Sequence, residues 1–304
     1  MDPLRIAVIG GLNMDLIVGV PRLPRAGETV TGDDLLRAPG GKGGNQAVAA
    51  ARLGGSVAMI GRVGHDAFGR ELQRGLRAAG VSTRWVRGCD RPTGAALIVV
   101  DERGENSIAV APGANTAVLP EDVPRSVVER SEVVVAPLEV PLTSIEHAFR
   151  LARLAGVKTV LNVAPAQAVP ASLLDLCDVL ICNEVELSTL LGHSLKPGTE
   201  VNATHAVRCS PQQIVVVTLG ERGALAVVGD EVVAQPAFAN VRVVDTTGAG
   251  DAFVAGFVVG RWWSAGVAGA LRWGCAAGSL ATTRAGAQPS MPGLVELESL
   301  VKTT

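Results

Sequence analysis

Tyrosine is absent from this 304-residue chain, and five phenylalanines and four tryptophans bring the aromatics to only 3%. That leaves little material for base-stacking platforms or aromatic sugar shelves, so the core must be built from Ala, Val and Leu. An excess of charge of either sign is missing too. The 27 Lys and Arg against 29 Asp and Glu leave a formal −2, which argues against gripping nucleic acid or an anionic membrane as the main activity. The five cysteines (Cys89, Cys177, Cys182, Cys209, Cys275) show no CxxC spacing, and His65, His147, His193 and His205 show no ligand spacing. A disulfide framework or zinc centre is not expected, and the thiols read as those of a reducing, cytoplasmic protein. A secretory leader is not expected either, because the apolar run from Arg5 to Gly10 is short and leads into a polar turn. Ala252 to Leu271 is almost wholly apolar, but Arg261 at its centre makes two buried helices a better reading than a membrane span.

What the chain has in quantity is glycine (36) and proline (17), within a composition 48% hydrophobic and 18% charged that marks a folded globular protein. No repeat, low-complexity segment or long linker divides it, so residues 1–304 are read as a single domain. Short Val- and Ile-rich runs alternate with helical patterns, which predicts an α/β fold: a doubly wound, mainly parallel sheet with helices on both faces. The expected strands are Arg5–Ile9, Ser56–Ile60, Glu132–Ala136, Thr159–Leu161, Val179–Ile181 and Ile214–Thr218. The expected helices are Asn45–Leu53, Gly69–Ala79, Leu142–Ala155 and Glu184–Leu191. Two segments break this rhythm. Asp15–Val20 with Glu28–Thr31, and Gly94–Val100 with Ser107–Ala111, alternate apolar and polar residues with no helix between them. They predict a small separate β-sheet, a lid formed by about 13–32 and 94–111, whose exposed face a second subunit is one way to cover.

Two glycine-rich segments carry the chemistry. In Val244-Asp-Thr-Thr-Gly-Ala-Gly-Asp-Ala-Phe253 a strand ends in a turn and a helix starts at about Ala249 or Gly250. Free N–H groups and the positive dipole end collect an anion there, with Gly248 and Gly250 allowing close approach. Asp251 then stands beside that anion as a base for a hydroxyl undergoing phosphoryl transfer, or else merely complements the helix dipole. In Pro39-Gly-Gly-Lys-Gly-Gly-Asn-Gln46, Lys42 and Asn45 are placed to donate to hydroxyls or phosphates; the bland alternative is a turn with a helix cap at Asn45. Neither this segment nor Gly10-Gly-Leu-Asn13 fits a Walker A loop or a dinucleotide fingerprint. Weaker signals are Asn13 with Asp15, either sugar ligands or an Asx turn, and Asn183-Glu-Val-Glu186, where Glu186 is either near a hydrated magnesium or a solvated helix residue. Thr218-Leu-Gly-Glu-Arg-Gly223 suits a nucleotide's phosphates or an ordinary turn.

In this order along Ile6 to about Pro292, the segments Gly40–Ala50, Glu105–Asn115, Asp245–Phe253 and Thr283–Ser290 resemble the ribokinase (phosphofructokinase-B) family of sugar and nucleoside kinases. The resemblance implies ATP-dependent phosphorylation of D-ribose at its 5-hydroxyl. Asp251 would be the general base, and the backbone of Gly248, Ala249 and Gly250 the anion hole. It implies a sugar site of Asn13, Asp15, Gly41, Lys42, Asn45 and Glu139, with Asp251 at the reacting hydroxyl. ATP would lie along Asn183, Thr218, Leu219, Gly220, Glu221, Arg222 and Gly223, with its phosphates at Gly250 and Asp251. Magnesium would stand near Glu186 through water. An activating potassium ion would sit at Asp245, Thr247, Ala281, Arg284, Gly286 and Ser290. A homodimer through the lid is implied as well. Near the adenine, Cys275 departs from the His or Asn that similar proteins carry, and a thiol is a weaker hydrogen-bond partner. Rival readings are a kinase of 2-deoxyribose, another pentose, pseudouridine or adenosine, and a non-catalytic sugar sensor. A nucleoside kinase usually offers an aromatic platform from the lid; Leu97, Ile98 and Val110 offer none. A sensor would have lost Asp251 or its glycines, and all are present.

Overall fold

Runs that are apolar at every position lie at the centre of one large sheet, and runs that alternate form a second, smaller one. The computed structural model describes residues 2–196, 198–239, 241–263 and 266–303. Its strands are β1 (Arg5–Ile9), β2 (Asn13–Val20), β3 (Leu36–Gly40), β4 (Ser56–Gly64), β5 (Ser82–Cys89), β6 (Gly94–Asp101) and β7 (Asn106–Ala111), then β8 (Val133–Pro137), β9 (Lys158–Asn162), β10 (Val179–Asn183), β11 (Ile214–Thr218), β12 (Ala224–Val228) and β13 (Glu231–Gln235). Its helices are α1 (Lys42–Arg52), α2 (Ala67–Ala78), α3 (Arg125–Arg130), α4 (Leu142–Leu154), α5 (Ala171–Leu174) and α6 (Glu184–Leu191), then α7 (Glu200–Ala206), α8 (Ala249–Trp263), α9 (Gly266–Ala281), α10 (Ala287–Ser290) and α11 (Leu294–Thr303).

The main sheet runs β13-β12-β11-β10-β9-β8-β1-β4-β5, parallel from β11 to β5, with β12 and β13 antiparallel at one edge. Alternate residues of β1 serve opposite faces. Ile6 and Val8 join a core with α1, α8 and α9, while Ala7 and Ile9 join one with α4. This is the doubly wound α/β fold that the alternation predicts. The apolar stretch is two buried helices, α8 and α9, although Ser264 and Ala265 between them lie outside the described residues. They approach so closely at Gly256 that a Cβ there would stand 2.7 Å from both the Ala277 Cβ and the Trp273 carbonyl. Among the described residues no helix is long and apolar enough to cross a membrane.

The small sheet has the order β3-β2-β6-β7. One expected strand is corrected. Glu28–Thr31 is irregular, and the partner of β2 is β3, which pairs Ile17 with Leu36 and Asn13 with Gly40. The sheet thus reaches past residue 32. Pairing beside α1 ties β3 to the glycine-rich loop, a long-range constraint that outweighs the β-propensity of Thr29-Val30-Thr31. Strands β5, β12 and β13 were not expected. The Gly229-Asp230 pair between two Val-containing runs is a hairpin signal that marks the last two. β5 carries four charged or polar residues in its edge position and has weak apolar patterning.

Candidate active site

The carboxyl ends of the parallel strands and the first turns of α1 and α8 converge on one cleft, the usual ligand position in an open α/β sheet. The glycine-rich loop closes here because Gly41 has φ +84° and a Cβ on it would lie 2.7 Å from the Asn13 nitrogen. Helix α1 starts at Lys42, three residues earlier than expected, so Asn45 lies inside it and the alternative of a cap at Asn45 falls away. Its unpaired N–H groups are met from elsewhere: Glu139 Oε2 accepts from the Lys42 nitrogen at 2.7 Å and the Gly43 nitrogen at 3.4 Å. Glu139 therefore caps α1, a role that sequence spacing does not disclose.

Asp251 lies in the first turn of α8, only 6% exposed. Its Oδ2 accepts from Asn45 Nδ2 at 2.8 Å and its Oδ1 from Gln46 Nε2 at 3.0 Å. Before it, Gly248 has φ +79° and backs onto Ala287, whose Cα would meet an added Cβ at 3.0 Å. Gly250 faces open space, since a Cβ there would meet nothing within 4 Å. Gly248, Gly250 and Asp251 line a cleft of about 250 Å³ together with Lys42, Asn162, Asn183, Glu186, Thr218 and Thr246. The Ala249 N–H, expected in the anion hole, donates to the Thr246 carbonyl at 3.2 Å, and Ala249 does not line the cleft.

Among the described residues, four carboxylates (Asp15, Glu139, Glu186 and Asp251) surround this space and one lysine, Lys42, enters it. Burial, with Asp251 adding to it, pushes the Asp15 carboxyl up to about 6. Burial pushes Glu139 up to about 7; Lys42 opposes the rise and Asp251 reinforces it. Glu186 is raised by burial despite the Asn183 N–H and Lys42. Burial alone would depress Lys42, but Asp251, then Glu139 and Glu186, hold its ammonium above the ordinary value. The site thus stores negative charge that a cationic or proton-donating ligand relieves.

The remaining expected residues fall into three groups. Asn13 and Asp15 are buried on β2, where Asn13 Oδ1 accepts from Asn115 Nδ2 at 2.7 Å and its Nδ2 reaches Glu139 Oε1 at 3.4 Å. Asn183 and Thr218 line the cleft, with Asn183 and Glu186 also closing a reciprocal cap on α6 at 2.8 and 2.7 Å. Leu219, Gly220, Glu221 and Arg222 form a turn beyond it, with Arg222 bound to Glu184 at 2.6 Å and Glu200 at 3.0 Å. Gly223 has φ +92°, and a Cβ there would strike the Gln235 carbonyl at 2.1 Å. Cys275 is buried on α9 against the Gln235 carbonyl, 3.7 Å from its sulfur, with burial pushing its thiol up to about 12, and it does not line the cleft.

The third group lies behind the α8 turn. Asp245 Oδ1 accepts from the Thr247 nitrogen and hydroxyl at 2.9 and 2.7 Å, and Oδ2 from the Gly286 nitrogen at 2.7 Å. Burial opposes ionisation of Asp245, but these donors, Gly286 foremost, outweigh it and hold the carboxyl below its usual value. The Thr282 carbonyl, between Ala281 and Arg284, takes the N–H groups of Val244 and Asp245 at 2.7 and 3.1 Å, and Ser290 is buried nearby on α10. Sequence reading missed Gln46, Asn115 and Asn162 as members of this polar interior. Gln46 and Asn115 sit inside the segments that carry the resemblance, but their partners lie far along the chain, and no local pattern points to Asn162.

A larger cavity of about 490 Å³ opens at the opposite, amino-terminal rim of β9, β10 and β11, lined by Arg153, Lys158, Asp175, Asp178, Cys209 and Gln213 among others. Its cations are already bound: Lys158 to Asp178 Oδ1 at 2.9 Å, and Arg153 to the Asp175 carbonyl at 2.6 Å.

Comparison with known proteins follows the same geometry. The family model described as pfkB family carbohydrate kinase matches residues 4–294. A ribokinase of Haemophilus influenzae is 37% identical over 292 residues, covering 94% of this chain and 95% of the relative. A deoxyribokinase of Salmonella typhi is 35% identical over 294 residues, covering 95% and 96%. The solved structure of Arabidopsis thaliana ribokinase complexed with ribose and ATP superimposes with a TM-score of 0.91 at 33% identity, covering 100% of both chains.

Proposed function

The chain belongs to the pfkB family of carbohydrate kinases, and on that premise we propose that it transfers the γ-phosphoryl group of ATP to the 5-hydroxyl of D-ribose, giving D-ribose 5-phosphate and ADP. The observation that carries this reading is Asp251, with amide donors on both oxygens, at the helix N-terminus that faces the cleft. Its remaining lone pairs accept the proton of the hydroxyl. The freed oxygen attacks the γ-phosphorus as the bond to the β,γ-bridging oxygen breaks, and ADP leaves with that electron pair. The N–H groups of Gly248 and Gly250 receive the charge on the transferring oxygens, with Lys42 adding its field. Ribose lies over Asn13, Asp15, Gly41, Lys42, Asn45 and Glu139, and ATP reaches in past Asn183 and Thr218 to Gly223.

Magnesium would accompany the phosphates, with Glu186, which lines the cleft, near it through water. An activating potassium ion would be held by Asp245, Thr247, Ala281, Arg284, Gly286 and Ser290, with the Asp245 carboxylate, kept ionised by its donors, supplying the negative charge. Bound there, it would stiffen the turn that presents Gly248 and Gly250 without touching substrate. Replacing K⁺ by Na⁺ in the assay lowers kcat on this reading, and indifference would sink it. The exposed Leu97, Ile108 and Val110 of the small sheet support a homodimer paired through the lid, which sedimentation of the native chain tests.

The activity is tested by ADP release with Mg-ATP and K⁺ against ribose, 2-deoxyribose, fructose, adenosine and pseudouridine, with Asp251→Asn as control. Turnover with ribose that collapses in the variant is the expected result. The Salmonella relative favours one second reading, 2-deoxyribose, and the ratio of kcat/KM for the two sugars decides between them. Ribose binding with no turnover of any sugar would make the protein a sensor.

A further inference from the structure

We propose that Gln46 is a positioning residue for Asp251, and that Asn162 and the Ile181 carbonyl determine which way its amide faces. This rests on the phosphoryl-transfer reading of the site. The chain of reasoning starts at a backbone oxygen. The Ile181 carbonyl can only accept, so Asn162 turns Nδ2 toward it, at 3.1 Å, and its Oδ1 toward the interior. That oxygen accepts from Gln46 Nε2 at 2.9 Å. The same nitrogen donates to Asp251 Oδ1 at 3.0 Å, so both of its hydrogens are used.

Gln46 Oε1 is left buried without a partner. Turning the amide over would not help it, because Oε1 would then face the oxygens of Asn162 and Asp251. A proton on Asp251 would answer only one of those oxygens and leave Oε1 against the Asn162 oxygen, and a protonated Asp251 cannot take a proton from a hydroxyl. The polarity fixed at Ile181 is thus passed through two amides to the base. Gln46 is 1% exposed and does not line the cleft, so it acts through Asp251 and not on the sugar.

Donors to a carboxylate favour its ionised form. Asn45 and Lys42 on α1 act on Asp251 in the same direction as Gln46. Asp15 on β2, Glu139 after β8 and Glu186 on α6 act in the opposite direction. The two amides at the first turn of α1 are the ones hydrogen-bonded to Asp251 itself.

The test is the pH dependence of kcat for the native chain, Gln46→Met and Asn162→Ala, with KM for sugar and ATP measured alongside. Gln46→Met keeps the length of the side chain and removes its donor. It should lower kcat at neutral pH about tenfold to a hundredfold and move the acid limb upward by about one pH unit, with both KM values changed less than about twofold. Asn162→Ala frees the Gln46 amide and should move the limb the same way by less; it decides the matter if the methionine variant does not fold. A uniform fall in kcat at every pH, with the limb in place, would reduce Gln46 to packing and overturn the proposal. So would unchanged kinetics. A native chain that turns over no hydroxyl substrate would instead overturn the phosphoryl-transfer reading, and this inference with it.

Discussion

The two rims of the main sheet make opposite use of charge. At the amino-terminal rim, the larger cavity holds Lys158 against Asp178 and Arg153 against the Asp175 carbonyl, so these two cations are already bound. At the carboxyl-terminal rim, a cleft of about half that volume gathers Asp251, Glu186 and Lys42, with Asp15 and Glu139 close enough to feel Asp251. Three of those carboxyls are raised by burial. Cavity size does not mark the functional site here. Unmet electrostatic demand does, because a fold keeps buried charge in excess only where a ligand will answer it.

The sharpest way to break this contrast is to remove the base. Asp251→Asn should lower kcat by about 10²–10⁴-fold, the range of general-base catalysis, while ATP binding measured by calorimetry persists. Loss of ATP binding together with turnover would make Asp251 a structural residue of the α8 turn.

A smaller effect separates the rims by pH. Glu139 has a folded value of about 7 against an ordinary 4.5, so between those pH values the folded protein holds a proton that the unfolded chain has released. Its contribution to stability is therefore greatest below about 4.5 and is lost as pH rises to about 7. Melting temperatures of the ligand-free protein should fall over this window, and Glu139→Gln should flatten part of the fall, leaving the shares of Asp15, up to about 6, and of Glu186, which burial also raises. An unchanged slope in the variant would remove Glu139 from the stored charge of the cleft.

The smallest effect belongs to the far rim. Lys158→Met breaks an ion pair whose lysine side chain is 59% exposed, so stability should change by less than about 1 kcal/mol and kcat/KM by less than about twofold. A tenfold loss of kcat/KM would connect the two rims and end the contrast.

Much of this architecture is written locally. The central strands are legible because continuous Val and Ile runs suit a sheet covered on both faces, and α8 is legible because a glycine-rich turn precedes an apolar helix. The same turn marks Asp251, and the glycine run marks Lys42 and Asn45. By contrast, local propensity points to Glu28–Thr31 as the partner of β2, whereas pairing with β2 and anchorage to α1 select Leu36–Gly40. Edge strand β5 gave too weak a pattern to be seen.

By itself, then, the sequence determined the glycine turns, the alternation of strands and helices, and the residue types able to bind an anion beside a base. Tertiary structure alone decided who answers whom: Glu139 capping α1 across 97 residues, and Gln46 reaching Asp251 across 205. The physical reason is range. Propensity and periodicity act within a few turns of chain, whereas a buried hydrogen bond exists only where packing has brought one donor to one acceptor and removed the water that would otherwise satisfy both.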